Sequence, residues 1–129
     1  MVQGKLVKRI SGKWHSSSRI LRTLHVARLA RVSTILKAAG ITYSSVPPLR
    51  VSLEVKKPGS FVAPEVMVSS QDGDFAGIIQ GVRTKEVYLE RGWDVFVVVE
   101  RVGRLPDDEF ELTILSDTPV SIGAEIRDD

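Results

Sequence analysis

The sequence predicts an all-β fold: an antiparallel sandwich of seven or eight strands with one basic α-helix near its N-terminus. Three observations carry that expectation. Beyond residue 48, apolar and polar side chains alternate over several short stretches; residues 95–99 are apolar on both faces and β-branched; and Gly, Pro and Asp punctuate the intervals. A chain of 129 residues, 43% apolar and 26% charged, suits one compact domain whose core needs no metal or disulfide. Within it, residues 1–45 read as a basic arm with the helix, and residues 46–129 as the sandwich.

In chain order, KLVKRI (residues 5–10) is a candidate first strand. Residues 17–39 predict one helix of about twenty residues, capped within Ser16–Ser18 and stopped at Gly40. Polar residues recur at every third position of this segment: Arg19, Arg22, His25, Arg28, Arg31, Thr34 and Lys37. An α-helix turns roughly 100° per residue, so this row winds around the axis. Ile20, Leu21, Leu24, Val32, Ile35 and Leu36 then share about half the circumference, with Arg28 near its middle. Arg19 and Arg22 would also occupy the first turn, where the helix dipole disfavours each cation by roughly 0.3–1 kcal/mol. An anionic neighbour would relieve both conflicts.

LRVSLEVK (49–56) sets Leu49, Val51, Leu53 and Val55 against Arg50, Ser52, Glu54 and Lys56, the pattern of a half-buried strand. Weaker strand signals lie at 65–69, 75–82 and 86–90, separated by Lys57-Pro58-Gly59, Gln71-Asp72-Gly73-Asp74 and Arg91-Gly92. The run Val95–Val99 belongs in the middle of a sheet, covered on both sides. EFELTILS (109–116) and VSIGAEI (120–126) repeat the alternation on either side of the corner Asp117-Thr118-Pro119.

Charge is distributed unevenly. Residues 1–53 hold ten Lys/Arg and no acid, whereas residues 54–129 hold eight Lys/Arg and all sixteen Asp/Glu. Lys5, Lys8, Arg9, Lys13, Arg19, Arg22, Arg28, Arg31 and Lys37 therefore form the candidate site for a polyanion or an acidic protein surface. For RNA, these cations would neutralise phosphates while Trp14 and His15 stack on a base. For protein contact, the same row lies against the domain's own acids or those of a partner.

The spacing of the basic row also resembles the voltage-sensing helix of ion channels. No stretch has the roughly twenty uninterrupted apolar residues of a bilayer span, so none is expected. Charge without a following apolar run disfavours a secretory signal, while residues 1–40 have the Arg- and Ser-rich, acid-free composition of a mitochondrial transit segment. With no cysteine, disulfides, thiol catalysis and Cys-ligated zinc are excluded, in keeping with an intracellular, reducing compartment. No nucleophile elbow, zinc-binding helix motif, phosphate loop or dinucleotide fingerprint occurs. Asp72 and Asp74, or Asp107, Asp108 and Glu109, have the oxygen chemistry of calcium ligands, but such acids more commonly decorate solvated turns. Neither a cofactor nor a metal is expected.

Five features in order carry a family resemblance: Gly12-Lys13-Trp14, Val46-Pro47-Pro48-Leu49, YLERGWDVFVVV (88–99), RLPDDE (104–109) and FELTILSD (110–117) with its Ser116. Over residues 46–122 and Trp14 the chain resembles the β-sandwich domain that follows the protease core in calpains. The departures are Glu100-Arg101 in place of a Pro-Ser/Thr pair, the long basic stretch between Trp14 and Pro47, and the lack of the family's strongly acidic loop. The resemblance implies a non-catalytic sandwich, and calcium or lipid binding is not carried over with it. The expected function is a non-catalytic protein-interaction subunit of a larger assembly, with an RNA-contacting ribonucleoprotein subunit as the alternative.

Overall fold

The computed structural model describes residues 6–38, 49–70, 81–101 and 109–127. Among them are eleven strands: β1 (Leu6–Lys13), β2 (Arg19–Val26), β3 (Ala30–Ala38), β4 (Leu49–Lys56), β5 (Glu65–Ser69), β6 (Gly81–Arg83), β7 (Val87–Leu89), β8 (Asp94–Arg101), β9 (Glu109–Ser116), β10 (Val120–Ile122) and β11 (Ile126–Arg127). They form two sheets in which every pairing is antiparallel. One runs β1-β9-β3-β6, with β7 also on β3; the other runs β10-β2-β8-β4-β5, with β11 also on β2. The expected antiparallel sandwich is therefore the fold, built from strands of both charge halves in both sheets.

The basic helix predicted over 17–39 does not form, and no helix occurs among the described residues. Its first half is β2 in one sheet and its second half is β3 in the other. The chain turns at Ala27-Arg28-Leu29, all exposed. Ile20, Leu24 and Val26 of β2, and Ala30, Val32, Thr34 and Leu36 of β3, are buried on the inward parity of their strands, with half-buried Arg22 at the inward position between Ile20 and Leu24. Folding as strands lets the two apolar stripes enter the core separately and moves Arg28 to an exposed corner. A single helix would have carried that charge into its apolar face. Val, Ile and Thr in β3 also favour the extended state.

β8 lies between β2 and β4, and its Val95, Val97 and Val99 enter the core while Val98 is buried on the opposite face. The run apolar on both faces is thus a central strand, as its composition predicts. Leu49, Val51, Leu53 and Val55 of β4 and Phe110, Leu112 and Ile114 of β9 complete the inner layer. Trp14 caps it, fully buried, with its ring 4.6 Å from that of Phe110 and tilted by 43°. Phe110 sits opposite Gly12 on β1, and a Cβ at Gly12 would lie 2.5 Å from the phenyl ring. The missing side chain is what admits the ring there.

Candidate functional site

The cations proposed as a binding row are dispersed by the fold over two sheets. Arg19, on β2, donates to Glu54 Oε1 of β4 at 3.0 Å and lies 3.8 Å from Glu100 of β8. Arg22 donates to the carbonyl oxygen of Gly123 at 2.8 Å and sits 3.9 Å from Glu125. On the other sheet, Arg31 reaches Glu86 at 3.6 Å and Asp117 at 3.9 Å, and its backbone N–H donates to Asp117 Oδ1 at 2.8 Å. Its guanidinium also lies 5.7 Å from the centre of the Tyr88 ring. Lys37 pairs with Glu111 and Lys13 with Glu109, each at 3.7 Å.

All seven carboxylates that meet these five cations come from the acid-bearing half of the sequence, so the charge asymmetry is largely satisfied within the sandwich. Cross-strand register sets three of these pairs: Arg19 is opposite Glu100, Lys37 opposite Glu111, and Lys13 opposite Glu109. Partly exposed pairs of this kind contribute roughly 0–1 kcal/mol each, so their larger effect is on which strands pair.

Lys8, Arg9 and Arg28 are exposed and have no ion-pair partner among the described residues. Lys5 lies outside those residues. Trp14, proposed to stack on a base, is enclosed and unavailable for that role; its carbonyl accepts from Ser17 N at 2.9 Å, closing a tight turn in which exposed His15 has φ 53°. Of the acids considered for calcium, Asp72, Asp74, Asp107 and Asp108 lie outside the described residues and Glu109 faces Lys13. Among the described residues no group of three His, Asp or Glu is placed to hold a metal ion, and no helix is long and apolar enough to cross a membrane.

One exposed surface is not marked by any of the motifs above. After the turn at Lys57-Pro58-Gly59, Phe61 is wholly exposed and Val62, Val66 and Met67 are exposed with it. These last three line a shallow recess of about 240 Å³ with Val55, Lys57 and Ala63. A register shift between Leu53 and Glu54 explains part of the exposure. It sets Val68 opposite core-facing Leu53 but Val66 opposite Glu54, on the outer face. The available signal was the Phe61-Val62-Ala63 run directly behind a turn, where polar residues are the norm.

The family model for the C-terminal domain of calpain-like, palB-like proteases matches residues 4–129. The chain belongs to this family. The match takes in β1, β2 and β3, so the basic segment between Trp14 and Pro47 is part of the palB-type domain. Among curated relatives, the calpain-like protease palB of Emericella nidulans is 31% identical over 122 residues, covering 86% of this chain and 14% of the relative. The calpain-like protease palB/RIM13 of Aspergillus oryzae is 28% identical over 122 residues, with the same shares. The chain thus spans about one seventh of the length of these relatives, and its calpain-type character agrees with the resemblance carried by Trp14, the central Val run and the FELTILSD strand.

Proposed function

We propose that this palB-type domain is a non-catalytic module that works by contacting protein, within a calpain-like polypeptide or in an assembly built on one. The observation that carries the reading is the apolar group Phe61, Val62, Val66 and Met67, which stands in water on one hairpin. Apolar side chains grouped this way on a surface are characteristic of protein contact. Peptide-bond chemistry is assigned to the remainder of such a polypeptide, since this chain has no cysteine. The basic row offers less to a nucleic acid than its composition implies, because Lys13, Arg19, Arg22, Arg31 and Lys37 already face carboxylates.

Purification of the tagged chain from its native source tests this. A stoichiometric protein partner, insensitive to ribonuclease and lost in Phe61→Asp with Val66→Asp at unchanged thermal stability, is expected. Recovery of nucleic acid instead, or full retention of the partner by that variant, contradicts the reading.

A further inference from the structure

We propose that the edge of β1 facing away from β9 is a strand-addition site for an extended, acid-bearing segment of a partner protein. The inference rests on the protein-contact reading and names a second surface together with the chemistry of its partner. β1 hydrogen-bonds to β9 along its length, from Leu6 opposite Ser116 to Lys13 opposite Glu109, and among the described residues no strand pairs with its other edge, where only the Lys13 carbonyl is met, by Arg127. The outward N–H and C=O groups of such a strand are a ready template for another chain.

Both faces of that template carry side chains able to meet an incoming strand. By register, Leu6 and Lys8 share the face of buried Ser116 and Ile114, yet both are exposed, Leu6 at 47%. Val7, at 45%, and Arg9 are exposed on the other face. Over residues 6–9 each face therefore presents one apolar residue and one cation, and neither Lys8 nor Arg9 has an ion-pair partner among the described residues.

Charge selects the occupant. β1 holds Lys8, Arg9 and Lys13 and no acid, so a second β1 would bring three more cations to this edge and no carboxylate to offset them, which like-charge repulsion disfavours. An acidic strand would place carboxylates there. β1 already has such a neighbour on its inner side: β9 sets Glu109 across from Lys13, at 3.7 Å, and Glu111 across from Ser11. Backbone bonds would supply affinity and the alternating side chains selectivity, as in other strand-addition complexes.

The test uses the 129-residue chain and three labelled probes: a capped octapeptide alternating valine with glutamate, its lysine counterpart, and a single-stranded RNA decamer. Fluorescence anisotropy is expected to show at least tenfold tighter binding of the glutamate peptide than of the lysine peptide. Hydrogen exchange should slow across residues 6–13. Lys8→Glu with Arg9→Glu should invert the preference, and Lys8→Gln with Arg9→Gln should abolish it. Equal affinities, protection confined to other strands, or an unaltered preference in both variants would overturn the proposal. Tighter binding of RNA without strand-like protection would overturn it in favour of a polyanion site, and a concentration-dependent dimer protecting residues 6–13 in favour of a second copy. If the peptide preference fails while Phe61→Asp with Val66→Asp still loses its partner, strand addition alone falls; if both fail, the protein-contact reading falls too.

Discussion

Arg127 donates to the main-chain carbonyl of Trp14 at 2.7 Å across 113 residues of sequence. Its other terminal nitrogen reaches the carbonyl of Lys13 at 2.8 Å. One guanidinium thus joins the last strand of the sandwich to the end of the first. β11 is only two residues long and needs such a tie. Arg127→Ala is expected to lower stability by about 1.5–3 kcal/mol, as a charged donor to backbone oxygens is lost. Arg127→Lys should recover part of it. Urea denaturation reads the effect as a shifted midpoint at unchanged slope.

The glycine under Phe110 gives a second expectation. Gly12→Ala places a methyl group 2.5 Å from the phenyl ring, which is itself held against Trp14. The strain should cost about 1–3 kcal/mol. Phe110→Leu in the same chain should cost less than the two changes summed, and a double-mutant cycle by thermal or urea unfolding measures that coupling.

Where an apolar pattern belongs to one strand in one sheet, the amino-acid sequence is an adequate guide. Leu49 to Val55, the Val95–Val99 run and Phe110 to Ile114 all lie where their spacing puts them. The basic segment was misleading for a physical reason. A polar residue at every third position fits neither the 3.6-residue nor the two-residue period, and the corner at Ala27-Arg28-Leu29 lacks Gly and Pro to mark it. Arg22 adds to the confusion: it falls on the core-facing parity of β2 and is accommodated only because Gly123 and Glu125 receive it. The exposed hairpin was hidden by similar means, since Val66 and Val68 share a parity that the bulge in the β4–β5 ladder breaks.

A buried polar pair ties β3 to the β6–β7 connection. Thr84 Oγ1 accepts from the backbone N–H of Thr34 at 3.0 Å, and the two hydroxyls also lie 3.0 Å apart. Both residues are buried. Thr84→Val keeps the volume but leaves the Thr34 N–H without its acceptor, so a loss of about 1–3 kcal/mol is expected in chemical denaturation. Thr84→Ser should retain most of the stability.

Arg22 and Arg28 separate the strand arrangement from a docked helix. Arg28→Ala removes an exposed side chain and should change stability by no more than about 0.5 kcal/mol. Arg22→Ala removes the donor to Gly123 and should cost about 1–2 kcal/mol. Differential scanning calorimetry of the two variants reports the order. A larger loss for Arg28→Ala would mean that this residue, and not Arg22, is held by the fold.

Residues 19–38 are two strands in opposite sheets, with Arg19, Arg22, Arg31 and Lys37 set against carboxylates of the acidic half. NMR of the labelled chain tests it most directly. Extended-state Cα shifts over 19–26 and 30–38 are expected, with cross-strand contacts between Arg22 and Val97 and between Lys37 and Glu111. Continuous helical shifts from Arg19 to Lys37, with neither contact, would contradict it.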